Sequence, residues 1–174
     1  MKISNKMLIV LQMCAFIMFI FFYGVKGNIS FAETETGINV GQKAPSFKLS
    51  TINGKALDLE SFRKDKTVLL VFGATWCRFC RLEAPYLNEY YSELKDKNLE
   101  VLNIDIGESE KKVSSYVKEN EIKYHVALDS DGQVADTYRV AGIPLNIILD
   151  KEGIIRYREN VLPDKNDLKK YLAN

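Results

Sequence analysis

The chain has 174 residues, 47% of them hydrophobic and 27% charged, with a formal net charge of +1. That is enough apolar material for one globular core plus an N-terminal extra segment. With Lys2, Lys6, Lys26, Glu33 and Glu35 set aside, 21 basic residues face 21 acidic ones from Gly37 onward. This balance excludes the basic face that nucleic-acid binding requires.

Lys2 and Lys6 precede an apolar run, Met7 to Val25, in which Gln12 is the only strongly polar side chain. Such a run just crosses a hydrocarbon core of about 30 Å and exceeds the roughly 7 to 15 residues of a cleaved signal's apolar region. It predicts an uncleaved signal-anchor within residues 1–32. A signal peptide cut after Ala32, where Ser30-Phe31-Ala32 supplies the small residues, is the alternative. Either way the lysines stay inside and the rest of the chain is delivered outside the cytoplasm. Cys14 reads as a small buried hydrophobe, because Met13 stands where lipoprotein processing needs a small residue. Residues 33–39 are polar and small and read as a tether, and the folded domain is expected over 40–174.

Phe47 and Leu49 alternate with polar neighbours, and Asn53-Gly54 is a turn signal before Ala56-Leu57-Asp58-Leu59, which predicts a β-hairpin. A short helix is expected over Leu59–Arg63. Thr67–Phe72 is continuously apolar, as in a strand buried on both faces. The following helix carries Leu82, Tyr86, Leu87, Tyr90, Tyr91 and Leu94 at helical spacing, with Pro85 expected to kink it. The tyrosines read as core and helix surface. A strand over Leu99–Ile106 and a helix over Glu108–Asn120 complete a βαβ pattern. Further on come a strand at Val126–Leu128 and a short helix at Gln133–Tyr138. An antiparallel pair, Leu145–Leu149 and Ile154–Tyr157, turns at Glu152-Gly153, and a helix over Asp164–Leu172 ends the chain.

Between the first apolar strand and its helix lies Gly73-Ala74-Thr75-Trp76-Cys77-Arg78-Phe79-Cys80. Two thiols two residues apart at a helix start can close into a disulfide and reopen, and the helix N-terminus stabilises the thiolate. Competing readings fare worse. Three cysteines, one of them Cys14, and the single histidine, His125, cannot supply a four-ligand zinc site, and His125 reads as structural. A purely structural disulfide over so short a loop restrains little chain entropy. A peroxidase of the Pro-x-x-x-Thr-x-x-Cys type is disfavoured, because Leu70 and Ala74 occupy the proline and threonine positions before Cys77. A non-catalytic binding module remains as an alternative.

The order of elements and five motifs, Gly41-x-x-Ala44-Pro45-x-Phe47, Phe72 to Cys80, Glu83-x-Pro85, Leu128-Asp129 and Gly142-Ile143-Pro144, make the chain resemble the thioredoxin superfamily. Within it, the similarity is to the membrane-anchored ResA/TlpA-like thiol-disulfide oxidoreductases. The resemblance implies a thioredoxin-like α/β fold: a central mixed sheet flanked by helices, with an N-terminal β-hairpin and an inserted helix and strand. It implies that Cys77, the more exposed thiol, is the nucleophile and that Cys80, deeper along the helix, resolves the mixed disulfide. Trp76, Ile143 and Pro144 are implied to bind substrate, Pro144 as a cis-proline. The physical rationale is that a cis bond, essentially confined to proline, would expose the backbone of Ile143 to an extended peptide. Glu83 is implied as a buried acid that raises the thiol pKa values. Arg78 acts in the opposite direction, and Phe79 stands where many relatives have proline, so both bear on the redox potential. Val71 occupies the position of a buried aspartate in cytosolic thioredoxins, which leaves Glu83 as the candidate for proton management. No cofactor beyond the Cys77–Cys80 disulfide is expected, and the domain is expected to be monomeric. The implied partners are exported proteins with disulfides, apocytochrome c first among them, and a membrane electron donor of the CcdA/DsbD type.

Overall fold

A computed structural model describes residues 34–172 apart from residue 64. The expected membrane segment at 7–25 lies outside the described residues, and no helix among those described is long and apolar enough to cross a membrane. The first two strands, β1 (Lys48–Thr51) and β2 (Ala56–Asp58), form the expected antiparallel hairpin. Gly54 in its turn adopts φ +69, a left-handed conformation that glycine reaches without a Cβ penalty. In place of the expected helix to Arg63 there is a single 3₁₀ turn, Leu59–Ser61. Arg63 lies beyond it and is buried, its guanidinium donating to the carbonyl of Ala44.

All seven residues of β3 (Thr67–Gly73) are buried, as the apolar run predicts. A long helix, α1 (Arg78–Leu94), leaves the carboxyl end of β3 and runs through Pro85. After it come β4 (Leu99–Ile106), α2 (Glu110–Glu119), β5 (His125–Asp129), α3 (Gln133–Thr137), β6 (Leu145–Leu149), β7 (Ile155–Glu159) and α4 (Lys165–Leu172). The strands make one mixed sheet in the order β2-β1-β5-β4-β3-β6-β7. The β3–β4 and β4–β5 pairs are parallel and the others antiparallel. Strand alternation then divides the core. Val68, Leu70 and Phe72 face Leu59, Val134 and Tyr138 on one side, while Leu69 and Val71 face Leu87, Tyr90 and Leu94 of α1 on the other.

The helical spacing on α1 needs one correction. Leu87, Tyr90 and Leu94 are buried, but Leu82 and Tyr86 are exposed. Only a stripe of the helix meets the sheet, and these two residues lie outside it.

At the far end of β5, the wholly buried carboxylate of Asp129 accepts hydrogen bonds from the backbone N–H of Val134 (3.1 Å) and Ala135 (2.8 Å). It satisfies donors that the short α3 otherwise leaves open at its start. Asp129→Ala removes both acceptors in the interior and is expected to lower unfolding stability by about 2–3 kcal/mol. Urea denaturation measures the loss.

Candidate functional site

The parallel strands β3, β4 and β5 end on the same edge of the sheet, and the chain re-enters that edge at β6. Residues distant in sequence therefore converge at the carboxyl ends of the strands, where open α/β sheets place their sites.

Cys77 is the N-cap of α1, and its Sγ accepts the backbone N–H of Cys80 at 3.1 Å. The two cysteines are joined as a disulfide with Cα atoms 5.3 Å apart. The expectation that Cys77 is the more exposed of the two is not met in this state: Cys77 is 4% exposed and Cys80 is partly exposed. The cap explains the reversal, since the Cys77 sulfur is turned back over the first helical turn to meet the N–H of Cys80. The same N–H is placed to stabilise a thiolate there.

The Ile143–Pro144 bond is cis, as expected. Asn160 holds this loop, its Nδ2 donating to the carbonyls of Gly142 (3.0 Å) and Pro144 (2.6 Å). Between α1, this loop and residues 160–164 lies a groove of about 930 Å³ whose lining includes Phe79, Leu82, Glu83, Tyr86, Ile143 and Pro144. Phe79, Leu82, Tyr86 and Val161 present exposed apolar surface to it. Four of the site residues expected from the sequence are thus brought together: Phe79, Glu83, Ile143 and Pro144. Trp76 and Arg78 are exposed beside the cysteines and do not line the groove. Glu83 is half-buried and accepts from Nδ2 of Asn146 on β6, 3.2 Å and 3.4 Å from its two oxygens. Burial pushes its pKa up, against the lowering pull of Asn146 and the backbone of Leu162.

A second acidic group went unread in the sequence. Thr75 donates through its backbone N–H (2.5 Å) and its hydroxyl (2.9 Å) to the carboxylate of Glu108, which also pairs with Lys112. Burial works to raise the Glu108 pKa, but the hydrogen bonds from Lys112 and Thr75 outweigh it and hold the group low. Beside it, Asp105 is buried at the end of β4, and its pKa is pushed up to about 8. Burial is the main cause, followed by the charge of Glu108 and the hydrogen bond shared with it. The signal was the alternation of β4: Asn103 and Asp105 place two polar side chains on the face that also carries Leu99 and Val101. Asn146 and Asn160 carried no comparable mark.

A folded-state pKa this high means that the folded protein keeps a proton that the unfolded chain releases near 3.8. The contribution of Asp105 to stability is therefore fully present at acid pH and is lost as pH rises from about 4 to about 8. D105N, whose amide can still donate to Glu108, should lack that slope. Relative to wild type it is expected to gain stability between pH 5 and pH 8, on the order of a few kcal/mol, in urea unfolding at both pH values.

The AhpC/TSA family model matches residues 40–158. A thiol-disulfide oxidoreductase ResA of Bacillus thuringiensis subsp. konkukian is 32% identical over 98% of this chain and 95% of its own length. A ResA of Bacillus cereus is 35% identical over 79% of each chain. Among solved structures, the thioredoxin domain of a thiol-disulfide oxidoreductase from Bacteroides vulgatus superposes with a TM-score of 0.71 at 28% identity. It covers 78% of this chain and 99% of that one.

Proposed function

The chain belongs to the AhpC/TSA family and is a thioredoxin-like thiol-disulfide oxidoreductase, and from that premise we propose that it is a membrane-anchored reductant of disulfides in exported proteins. The observation that carries this reading is the position of the Cys77–Cys80 disulfide at the start of α1, next to the groove walled by Phe79 and the cis Ile143–Pro144 loop. A groove with exposed apolar walls suits an extended peptide from a partly unfolded protein better than a small polar molecule. The thiolate of Cys77 attacks one sulfur of the substrate disulfide and expels the other as a thiolate. Cys80 then attacks Cys77, which frees the reduced substrate and closes the disulfide. Apocytochrome c is the proposed first substrate, on the strength of the family resemblance. Exported proteins of sporulation or oxidative repair are the second reading. The apolar run ahead of the tether supports delivery outside the cytoplasm, and there a membrane donor of the CcdA/DsbD type would return the electrons. No cofactor beyond the two cysteines takes part.

Cys77→Ser is expected to lower reduction of a model disulfide by at least about 100-fold, and retention of activity would overturn the catalytic reading. Cys80→Ser should leave the partner attached to Cys77 as a mixed disulfide. Recovery of an apocytochrome supports the first substrate, and recovery of another exported protein selects the second reading.

Glu83, placed among the groove residues, is proposed to hold thiol pKa values up. Glu83→Gln removes a carboxylate from the site and should speed alkylation of the reduced protein at pH 7 by about threefold to tenfold. An unchanged alkylation rate would remove Glu83 from thiol tuning.

A further inference from the structure

Under the first turn of α1 lies a small, partly open cavity of about 20 Å³, room for one water molecule. Cys80 and Thr75 line one side of it, Asn103 and Asp105 of β4 another, and Tyr116 of α2 a third. Asp105 is 2% exposed, and its Oδ1 has no hydrogen-bond partner among the described residues. Its partner across the β3–β4 register is Gly73. A Cβ on Gly73 would sit 3.4 Å from the Sγ of Cys80 and 3.6 Å from Oδ1 of Asn103. The absence of a side chain there keeps the end of the sheet in contact with the sulfur.

We propose that Asp105 is the proton store of Cys80, giving its proton to the Cys80 sulfur as the Cys77–Cys80 bond opens and taking it back as the bond re-forms. The proposal rests on dithiol exchange at these two cysteines. When a donor thiolate attacks Sγ of Cys77, the S–S bond breaks and its electron pair leaves on Sγ of Cys80. The proton then passes from the Asp105 carboxyl to that sulfur across the cavity, leaving a carboxylate. In the opposite direction the Cys80 thiol returns its proton to Asp105, and the resulting thiolate attacks the Cys77 sulfur of the mixed disulfide. The substrate sulfur departs with its electron pair. One proton and two electrons are accounted for in each direction, with a dithiol as reductant and the substrate disulfide as oxidant.

The surroundings explain why Asp105 suits this role. The titratable and charged groups around it are Cys80 on α1, Glu108 ahead of α2, Lys112 and Tyr116 on α2, and Tyr124 ahead of β5, with Arg81 of α1 acting on Tyr116. Gly73 and Leu128, its register partners on the flanking strands, carry no charge. Glu108 is committed to Thr75 and Lys112. An ionised Asp105 therefore stands beside a second carboxylate, a like-charge arrangement that makes it a strong base for the Cys80 proton. Glu83 belongs to the groove and to Asn146 and does not line this cavity.

Rapid mixing of the reduced full chain with a disulfide-containing model peptide separates the attack by Cys77 from closure by Cys80. In D105N, closure at pH 7 is expected to slow by roughly 100-fold and to lose the inflection that Asp105 gives the wild-type profile, while the first attack changes by less than about threefold. Closure with the wild-type rate and pH profile would overturn the proposal. An independent check needs no variant: in wild-type protein labelled with ¹³C at aspartate carboxyls, the Asp105 midpoint should differ by at least about one pH unit between disulfide and dithiol forms. An identical midpoint in both forms would also overturn it. Normal peptide reduction with an unaltered D105N removes the role of Asp105 alone, whereas a wild-type protein that reduces no disulfide removes the exchange activity as well.

Discussion

Strand β3 is hydrogen-bonded along both edges, to β4 and to β6, and α1 starts only a short corner beyond its last residue. With both edges occupied and both faces covered, the polar groups carried under α1 are wholly or partly withdrawn from water. They are Asn103 and Asp105 from β4, Asn146 from β6, and the cysteines with Glu83 from α1 itself. Each must be met by another protein group or bear the cost of burial. The chemistry of the site follows from how those few groups divide among themselves.

They divide into two environments on either side of the disulfide. Toward the groove, Glu83 is half-buried and held by Asn146, close to the cis-proline loop that Asn160 ties in place. Toward the sheet interior, Glu108 anchors the loop before Cys77 through Thr75, while Asp105, its pKa raised by burial, lies in a cavity wall shared with Cys80. Two carboxyls near one pair of sulfurs thus differ in access: one faces the place proposed for a substrate, the other faces only the protein. That separation is what allows the proposed substrate contact and the proposed proton handling to fall to different residues.

Much of the fold was legible because its signals are local. The Asn53-Gly54 turn, the unbroken apolar run of β3 and the repeat of Leu87, Tyr90 and Leu94 each encode an element through neighbours in the chain. The 3₁₀ turn at Leu59–Ser61 stops short of the helix expected to Arg63, whose side chain is taken up by a tertiary contact with Ala44. Leu82 and Tyr86 fit the helical period as well as the buried residues do, and periodicity alone does not say how wide a stripe the sheet will cover. Both lie on the groove side. The relative burial of Cys77 and Cys80 was likewise reversed, because the cap and the disulfide together set the direction of the sulfurs.

By itself the sequence determined the exchange chemistry: two cysteines at i and i+3 on a helix start lie within bonding reach wherever that helix is placed, since the spacing is a property of the helix. It also carried the family motifs, up to the Ile143–Pro144 pair. Only the tertiary structure decided which acid lies on which side of the disulfide. Asp105 meets Cys80 through the parallel register of β3 on β4 and the packing of α1 across them, and Glu83 meets the proline loop through the antiparallel return of β6. Those meetings depend on strand register and helix placement, and neither is written in the spacing of residues along the chain.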